Sequence, residues 1–418
     1  MMEKDSPHRT PPFIVILTLT CGGGHLQAAR ALSARFKEEL PDCTVLEINL
    51  FEHWMGSFLG KSFTKIWNAP LQRGYSRVSL FLSRVGIPIF DVLFFIPIFI
   101  NATMTFYKNP VTKVIDTQPV ATAAVTFALL VTNKLKSKKL RLEKVLTELP
   151  TRKATHFFHP IKFLPKFLRR LIVLEVVETF SQAPEFWRKA ARLKLAQVKL
   201  IQPPLRDAFF KLGSTSKDST FELYLETKNR EETLLLTKKS PELSGLSELN
   251  STTLLFSRPA NAFITTLMLG SQPHSRIIHE YLTKLQQLTL DFPQETTHLV
   301  FVLGNDKTPG WSKLKKQWMD SELPAKNFIP ILLSMQNQRT VALLFHYSDQ
   351  TITRSGGLTS MELLQAARGQ VWIHTESEIK KVPQLKKMPP WEAGNAEILI
   401  KKLGAKVTTP NHLKQLHQ

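Results

Sequence analysis

Only two cysteines, Cys21 and Cys43, occur in 418 residues. That excludes a secreted domain stapled by disulfides and a zinc site built on cysteine thiolates. Long apolar runs are also missing. The longest, VGIPIFDVLFFIPIFI at Val85–Ile100, is shorter than the ~20 residues a spanning helix needs. It also carries Asp91 and is interrupted by Pro88 and Pro97, so it reads as a buried or interfacial segment rather than a span. Acidic residues are scarce: 34 Asp+Glu stand against 55 Lys+Arg, a net charge of +21. Such an excess calls for an anionic partner, whether nucleic acid, a phosphorylated small molecule or an acidic membrane surface. The signatures of RNA-recognition, zinc-finger and helix-turn-helix modules are absent, so charge alone speaks for nucleic acid. Lys4 and Arg9 precede the apolar run Phe13–Leu19 in the manner of a signal peptide. No small-residue cleavage site follows, however, and the expected location is cytoplasmic.

What is present fits a globular chain, with 43% hydrophobic and 21% charged residues. At roughly 100–200 residues per domain, the length predicts two domains or three. Phe13–Leu19 (FIVILTL) is a β-branched run suited to a strand buried on both faces of a parallel sheet. Gly22–Gly24 form a tight loop, Gln27–Leu40 has apolar residues at helical spacing, and Cys43–Leu50 reads as a second strand. This βαβ start predicts an α/β fold. From Phe51 to Asn109, aromatic, apolar and basic residues mix: Phe58, Lys61, Phe63, Lys65, Trp67, Arg73, Tyr75, Arg77, Phe81 and Arg84. Interfacial membrane helices have this composition, and so do helices packed on a sheet with basic residues in solvent. Val120–Val131 and Leu142–Leu149 read as core elements, and the basic stretch Lys134–Lys144 between them as a solvated face. Leu171–Val177 and Val198–Ile201 read as short strands. Thr215–Leu254 turns polar and reads as an insertion or linker. A second α/β pattern follows, with strands at Phe263–Leu269, His298–Leu303, Val341–Phe345 and Val371–His374 and helices at Arg276–Leu290, Thr359–Ala367 and Ala393–Leu403. Two doubly wound domains bind ligands at their carboxyl strand ends.

Three segments carry candidate chemistry. In Cys21-Gly22-Gly23-Gly24-His25, glycines between strand and helix let backbone amides approach a ligand, and His25 falls in the first helical turn, where imidazole can serve as a general base. No Gly-Lys-Ser/Thr follows and the GxGxxG spacing is absent, which excludes a Walker loop and a dinucleotide fingerprint. In TRSGGLTSMELL, Ser355, Gly356, Gly357 and Leu358 precede a helix with Thr359 and Ser360 in its first turn. Such a terminus suits a diphosphate, and Glu362 one turn in suits ribose hydroxyls; a capping box would use the same residues. Glu392 and Asn395, in Trp391-Glu392-Ala393-Gly394-Asn395-Ala396, open the last long helix.

In this order, the three segments resemble GT-B glycosyltransferases, the group holding monogalactosyldiacylglycerol synthases, processive diacylglycerol glucosyltransferases and the N-acetylglucosaminyltransferase of peptidoglycan lipid synthesis (family 28-like). TCGGGHLQAARAL is similar to that family's opening, Phe58–Tyr107 to the acceptor region of its diacylglycerol branch, Ile201–Phe209 to its interdomain strand and Pro389–Ala396 to its tail motif. The resemblance implies two Rossmann-like doubly wound domains facing a cleft: residues 1–212 for acceptor and membrane, 213–258 as linker or insertion, and 259–418 for the nucleotide sugar, with the last helix free to return to the first domain. It implies transfer of a hexose from a UDP-sugar to a lipid acceptor such as diacylglycerol, with inversion, peripherally on the inner face of the membrane. His25 would activate the acceptor hydroxyl or stabilise the site, beside the loop Gly22–Gly24. Gly270, Ser271, Arg354, Ser355, Gly356, Gly357, Leu358, Thr359, Ser360, Glu362, Glu392 and Asn395 would hold the donor. Neither metal nor cofactor is implied, in keeping with the missing DxD motif, and no nucleic acid. The chain departs from the family at Leu269–His274, which is poor in glycine, at Trp391, where a sugar-contacting glutamine is usual, and at Glu148, where Asp is common. A catalytically lapsed relative that binds anionic lipid or a partner is the alternative. Residues 61–84, 134–144 and 162–170 hold much of the positive excess, which points to a bilayer rather than nucleic acid.

Overall fold

The computed structural model describes residues 11–20, 23–72, 78, 81–177, 184–213, 221–238, 245–270, 274–291, 293, 295–306, 308, 310–320, 327–376, 378–379, 382–385 and 388–413. The chain divides into two compact units. One comprises Met1–Thr64, Ser83–Pro150 and Thr155–Pro204; the other comprises Lys65–Leu82, Thr151–Ala154 and Leu205–Gln418.

The first unit is built on six strands: β1 (Phe13–Thr18), β2 (Thr44–Asn49), β3 (Val111–Asp116), β4 (Leu142–Val145), β5 (Ile172–Val177) and β6 (Val198–Ile201), in the order β2-β1-β3-β4-β5-β6 and parallel throughout. Val15 lies opposite Leu46 on one side and Val114 on the other. Between the strands run α1 (Gly24–Glu39), α2 (Ser57–Gln72, counted with the second unit from Lys65 on), α3 (Ile87–Leu93), α4 (Phe95–Lys108), α5 (Thr122–Lys136), α6 (Thr155–Lys162), α7 (Lys166–Arg169) and α8 (Pro184–Ala191). Ile14, Ile16, Ala29, Leu32, Ile115 and Val145 form one core cluster between sheet and α1. Each fully buried Ile or Leu there contributes about 1.5–3 kcal/mol. Gly23, the N-cap of α1, has φ 75°, a backbone state that glycine adopts without steric cost.

The apolar run Val85–Ile100 is split. No single helix among the described residues is long and apolar enough to cross a membrane; α3 and α4 are bent by 66° relative to each other. Ile98, Ala102 and Phe106 are buried at i+4 spacing, and Ile96, Ile100 and Met104 are exposed on the opposite face. Val92, in α3, is 77% exposed. Asp91, the charge inside the run, turns inward: its Oδ1 accepts from the Ala121 amide, 2.6 Å away, at the N-cap of α5.

In the second unit, α9 (Asp207–Gly213) leads into the stretch read as a linker or insertion. There, Glu222–Glu226 (β7), Leu246–Asn250 (β8) and Thr253–Ser257 (β9) form an antiparallel sheet in the order β7-β9-β8, with α10 (Arg230–Lys238) between β7 and β8. A larger sheet follows, from β10 (Ala262–Met268), β11 (Thr297–Gly304), β12 (Phe328–Ser334), β13 (Gln350–Thr353), β14 (Gln370–His374) and β17 (Lys406–Thr408), parallel in the order β12-β11-β10-β13-β14-β17. A two-residue ladder, β15 (Glu378–Ile379) with β16 (Val382–Pro383), lies after β14. The helices are α11 (Ser275–Thr289), α12 (Trp311–Asp320), α13 (Gln338–Tyr347), α14 (Gly357–Ala366) and α15 (Pro390–Leu403). Leu267, Tyr281, Leu282, Val300, Trp311 and Ile352 meet in the core.

Two expectations are corrected. Val341–Phe345, read as a strand, lies inside α13, which starts where the Asn337 side chain accepts from the Thr340 amide at 3.0 Å. The strand of that βα unit is instead β12, whose Pro330 is tolerated because β12 is an edge strand with a partner on one side only. The basic stretch Lys134–Lys144, read as a solvated face, ends in a fully buried side chain: Lys144 forms an ion pair of 2.7 Å with Asp116, both 0% exposed.

Candidate functional site

In the first unit, β1 ends and α1 begins around His25. Cys21 and Gly22 lie outside the described residues; Gly23 caps α1 and Gly24 is its first residue. His25 is half-buried in the first turn, with Nδ1 2.8 Å from the Thr117 carbonyl oxygen and 3.0 Å from the Thr147 hydroxyl. A carbonyl oxygen only accepts, so Nδ1 carries the proton and Nε2 the basic lone pair. Burial lowers the His25 pKa to about 4; the Thr117 bond opposes this and the nearby Lys144 charge adds to it. The imidazole is therefore neutral at pH 7 and able to take up a proton. Thr117 and Thr147 were not among the residues singled out in the sequence. Their one signal was position, since they follow β3 and β4 at the carboxyl ends where ligand sites of parallel sheets gather.

In the second unit, the loop from β13 to α14 is tied down by α15. Asn395 Nδ2 donates to the Ser355 carbonyl at 2.8 Å, and the Ser355 hydroxyl donates to the Glu392 carbonyl at 2.9 Å. Arg354 bridges two carboxylates, Glu376 at 2.9 Å and Glu392 at 3.3 Å. Burial opposes the Arg354 charge, but Glu392 and Glu376 outweigh it and hold the guanidinium above its ordinary pKa. Burial likewise raises the Glu376 carboxyl, against the pull of Arg354. Glu376 was not foreseen, because nothing in its local sequence marks it.

Gly356 is the N-cap of α14, and a Cβ built on it meets no described atom within 4 Å. Gly357 and Leu358 are buried, Thr359 is half-buried, and the buried Ser360 Oγ has no hydrogen-bond partner among the described residues. The N-terminal amides of α14 and an open space above Gly356 thus form an anion-binding geometry. Glu362 does not stand free for a ligand: its Oε1 accepts from Arg206, 2.9 Å away, and both side chains are nearly buried. Burial raises the Glu362 pKa, and Arg206 opposes the rise. Gly270, with φ 84°, follows β10, and a Cβ there also meets open space; Ser271 lies outside the described residues. The structure therefore joins Arg354, Ser355, Glu392 and Asn395 into one hydrogen-bonded group and engages Glu362 through Arg206. Among the described residues, no group of three or more His, Cys, Asp or Glu side chains is arranged to hold a metal ion.

No family model and no curated protein matches the chain. Among solved structures, it is similar to the glycotransferase of kitacinnamycin, with a TM-score of 0.50 and 11% identity over 97% of this chain and 88% of that one. It is also similar to MurG of Acinetobacter baumannii (TM-score 0.46, 11% identity, 97% of this chain and 87% of that one). The first likeness shows the fold: the chain has the GT-B architecture of two Rossmann-like domains, each on a six-stranded parallel sheet.

Proposed function

We propose that the chain is an inverting glycosyltransferase that moves a hexose from a UDP-sugar to a lipid acceptor such as diacylglycerol, while peripherally attached to the cytoplasmic, anionic face of a membrane. The observation that carries this reading is the α14 terminus, where an open glycine N-cap sits on a loop locked by Asn395 and Glu392. Helix amides stabilise the charge that develops on a leaving diphosphate. In the proposed reaction, Nε2 of His25 takes the proton of the acceptor hydroxyl, whose oxygen attacks the anomeric carbon from the face opposite the diphosphate. The anomeric C–O bond to the diphosphate breaks, and UDP leaves.

Membrane attachment is supported by exposed apolar side chains on α3 and α4 together with Phe163 and Phe167, exposed 74% and 49%, beside Lys162 and Lys166. Each basic residue near an anionic surface contributes about 1 kcal/mol. Binding to phosphatidylserine-containing liposomes is expected to fall steeply from low to high salt; retention that salt does not change would sink the attachment.

The test of transfer is UDP release from UDP-hexoses with diacylglycerol liposomes, repeated with Gly356→Val. The open space at Gly356 predicts a melting temperature close to that of the native chain and loss of UDP binding. If UDP binds the variant undiminished, the α14 terminus is not the diphosphate site. One observation favours the second reading, a lapsed GT-B relative: Glu362 is already neutralised by Arg206. A UDP-induced thermal shift that vanishes in Glu362→Ala would count against it.

A further inference from the structure

Lys144 is a fully buried lysine with a complete set of partners. Its Nζ donates to Asp116 Oδ2 at 2.7 Å, to the Gln118 carbonyl at 2.6 Å and to the Thr122 hydroxyl at 2.7 Å, so three acceptors meet its three protons. All three belong to the 116–122 turn from β3 into α5. The turn closes on itself as well: Asp116 Oδ1 accepts from the Gln118 amide, and the Gln118 side chain bonds Val120 at both its oxygen and its nitrogen. Thr117 lies inside this turn. Its carbonyl accepts from His25 Nδ1, and its hydroxyl is within reach of the carbonyls of Leu17 and His25. Thr147, the other partner of His25, follows Lys144 by three residues on the continuation of β4.

We propose that Lys144 is a positioning residue for His25: its ammonium holds the 116–122 turn closed, so that the Thr117 carbonyl fixes the proton on Nδ1 and leaves Nε2 as the proton acceptor. Two kinds of interaction act together. The hydrogen bonds orient the carbonyl, and the ammonium charge disfavours a second positive charge on the imidazole. The titratable groups around the ammonium are Asp116, His25 and, on α3, Asp91, whose carboxyl reaches the same turn through Ala121. Burial pushes Asp91 up to about 6, and Lys144 acts against that rise. A lysine that merely tied β3 to β4 would leave the imidazole tautomer unchanged when replaced, even though loss of its charge acts on the midpoint.

The proposal rests on His25 being the proton acceptor, but its test reads the imidazole itself rather than turnover. The full chain, labelled with ¹⁵N-histidine, is titrated by NMR as native protein and as Lys144→Met, with the His25 signal identified by its loss in His25→Gln. The native signal is expected to show the Nδ1–H tautomer and to protonate near pH 4. In Lys144→Met, the tautomer is expected to shift from Nδ1–H to a mixture, while the midpoint reports the net of two losses, the ammonium charge that lowers it and the Thr117 bond that raises it. Lys144→Met combined with Asp116→Asn removes both charges while keeping the volumes, so it serves if the single variant does not fold; the tautomer is expected to mix there too. An unchanged tautomer in a folded variant overturns the proposal, as does a native Nε2–H tautomer. A native chain that releases no UDP yet shows the shift refutes hexosyl transfer alone. One that releases UDP without the shift refutes the role of Lys144 alone.

Discussion

Replacing His25 with glutamine is expected to lower the proposed hexosyl transfer by about 10²–10⁴-fold, the range for loss of a positioned general base. Glutamine retains an amide able to donate toward the Thr117 carbonyl, so the melting temperature should hardly move. Initial rates of UDP release and a thermal melt check both halves, and an unchanged rate in the variant would remove His25 from the mechanism. The native pH profile follows from the same geometry. With the imidazole pKa near 4, Nε2 is unprotonated throughout the neutral range. The rate should therefore hold from neutral to mildly acidic pH and fall only as pH drops through about 4. A sharp acid limb near 6.5 would mean that the imidazole titrates as if exposed.

The second large effect is on stability. Arg206→Met is expected to cost about 3–5 kcal/mol in chemical denaturation at pH 7–8, because it leaves a buried carboxylate without its partner. Arg206→Met with Glu362→Gln should recover most of that loss, since removing both charges avoids an uncompensated one. The pH dependence has a definite sign. Glu362 already has a raised pKa from burial, and Arg206 is what restrains it. Without Arg206, the folded carboxyl binds its proton more tightly than the unfolded one, so folding is favoured at low pH and the advantage is lost as pH rises through the folded pKa. The deficit of the single variant should shrink as pH falls toward the ordinary glutamate value of 4.5. A deficit independent of pH would mean that Glu362 is not the group left uncompensated.

The architecture was legible in the sequence where strands are apolar on both faces. FIVILT at β1 and the run within Thr297–Gly304 at β11 can be read by composition because parallel strands are covered on both sides. β3 was missed because Thr112 and Lys113 interrupt its apolar pattern, and β12 because Pro330 argues against a strand until its edge position is known. The segment Val341–Phe345 misled because a short apolar run fits a strand or a buried helix equally, and the deciding Asn337 cap lies outside it. In the candidate site, glycines before a helix were legible as local chemistry. The partners were not. Glu376 reaches Arg354 from 22 residues away, Thr117 reaches His25 from 92 and Arg206 reaches Glu362 from 156, separations at which no spacing rule operates. Lys144 was hidden differently, because a lysine in a basic stretch carries no sign that its neighbours are solvated and it is not.

The strand order of the first sheet has a kinetic consequence. Val15 is paired with Leu46 and with Val114, so the pairing of β1 is completed only when a segment about a hundred residues further along the chain has arrived. No strand in that sheet can be zipped up as a hairpin, and each pairing closes a loop before it gains contacts. A chain of this contact order searches slowly, on the millisecond-to-second scale or beyond, with β1 exposing apolar surface in the meantime. During synthesis β1 and α1 emerge before β3 and must wait for it. β10 waits in the same way for β13, where Thr265 pairs with Gln350, so the yield of soluble protein is expected to respond to the rate of translation as well as to the final stability of the fold.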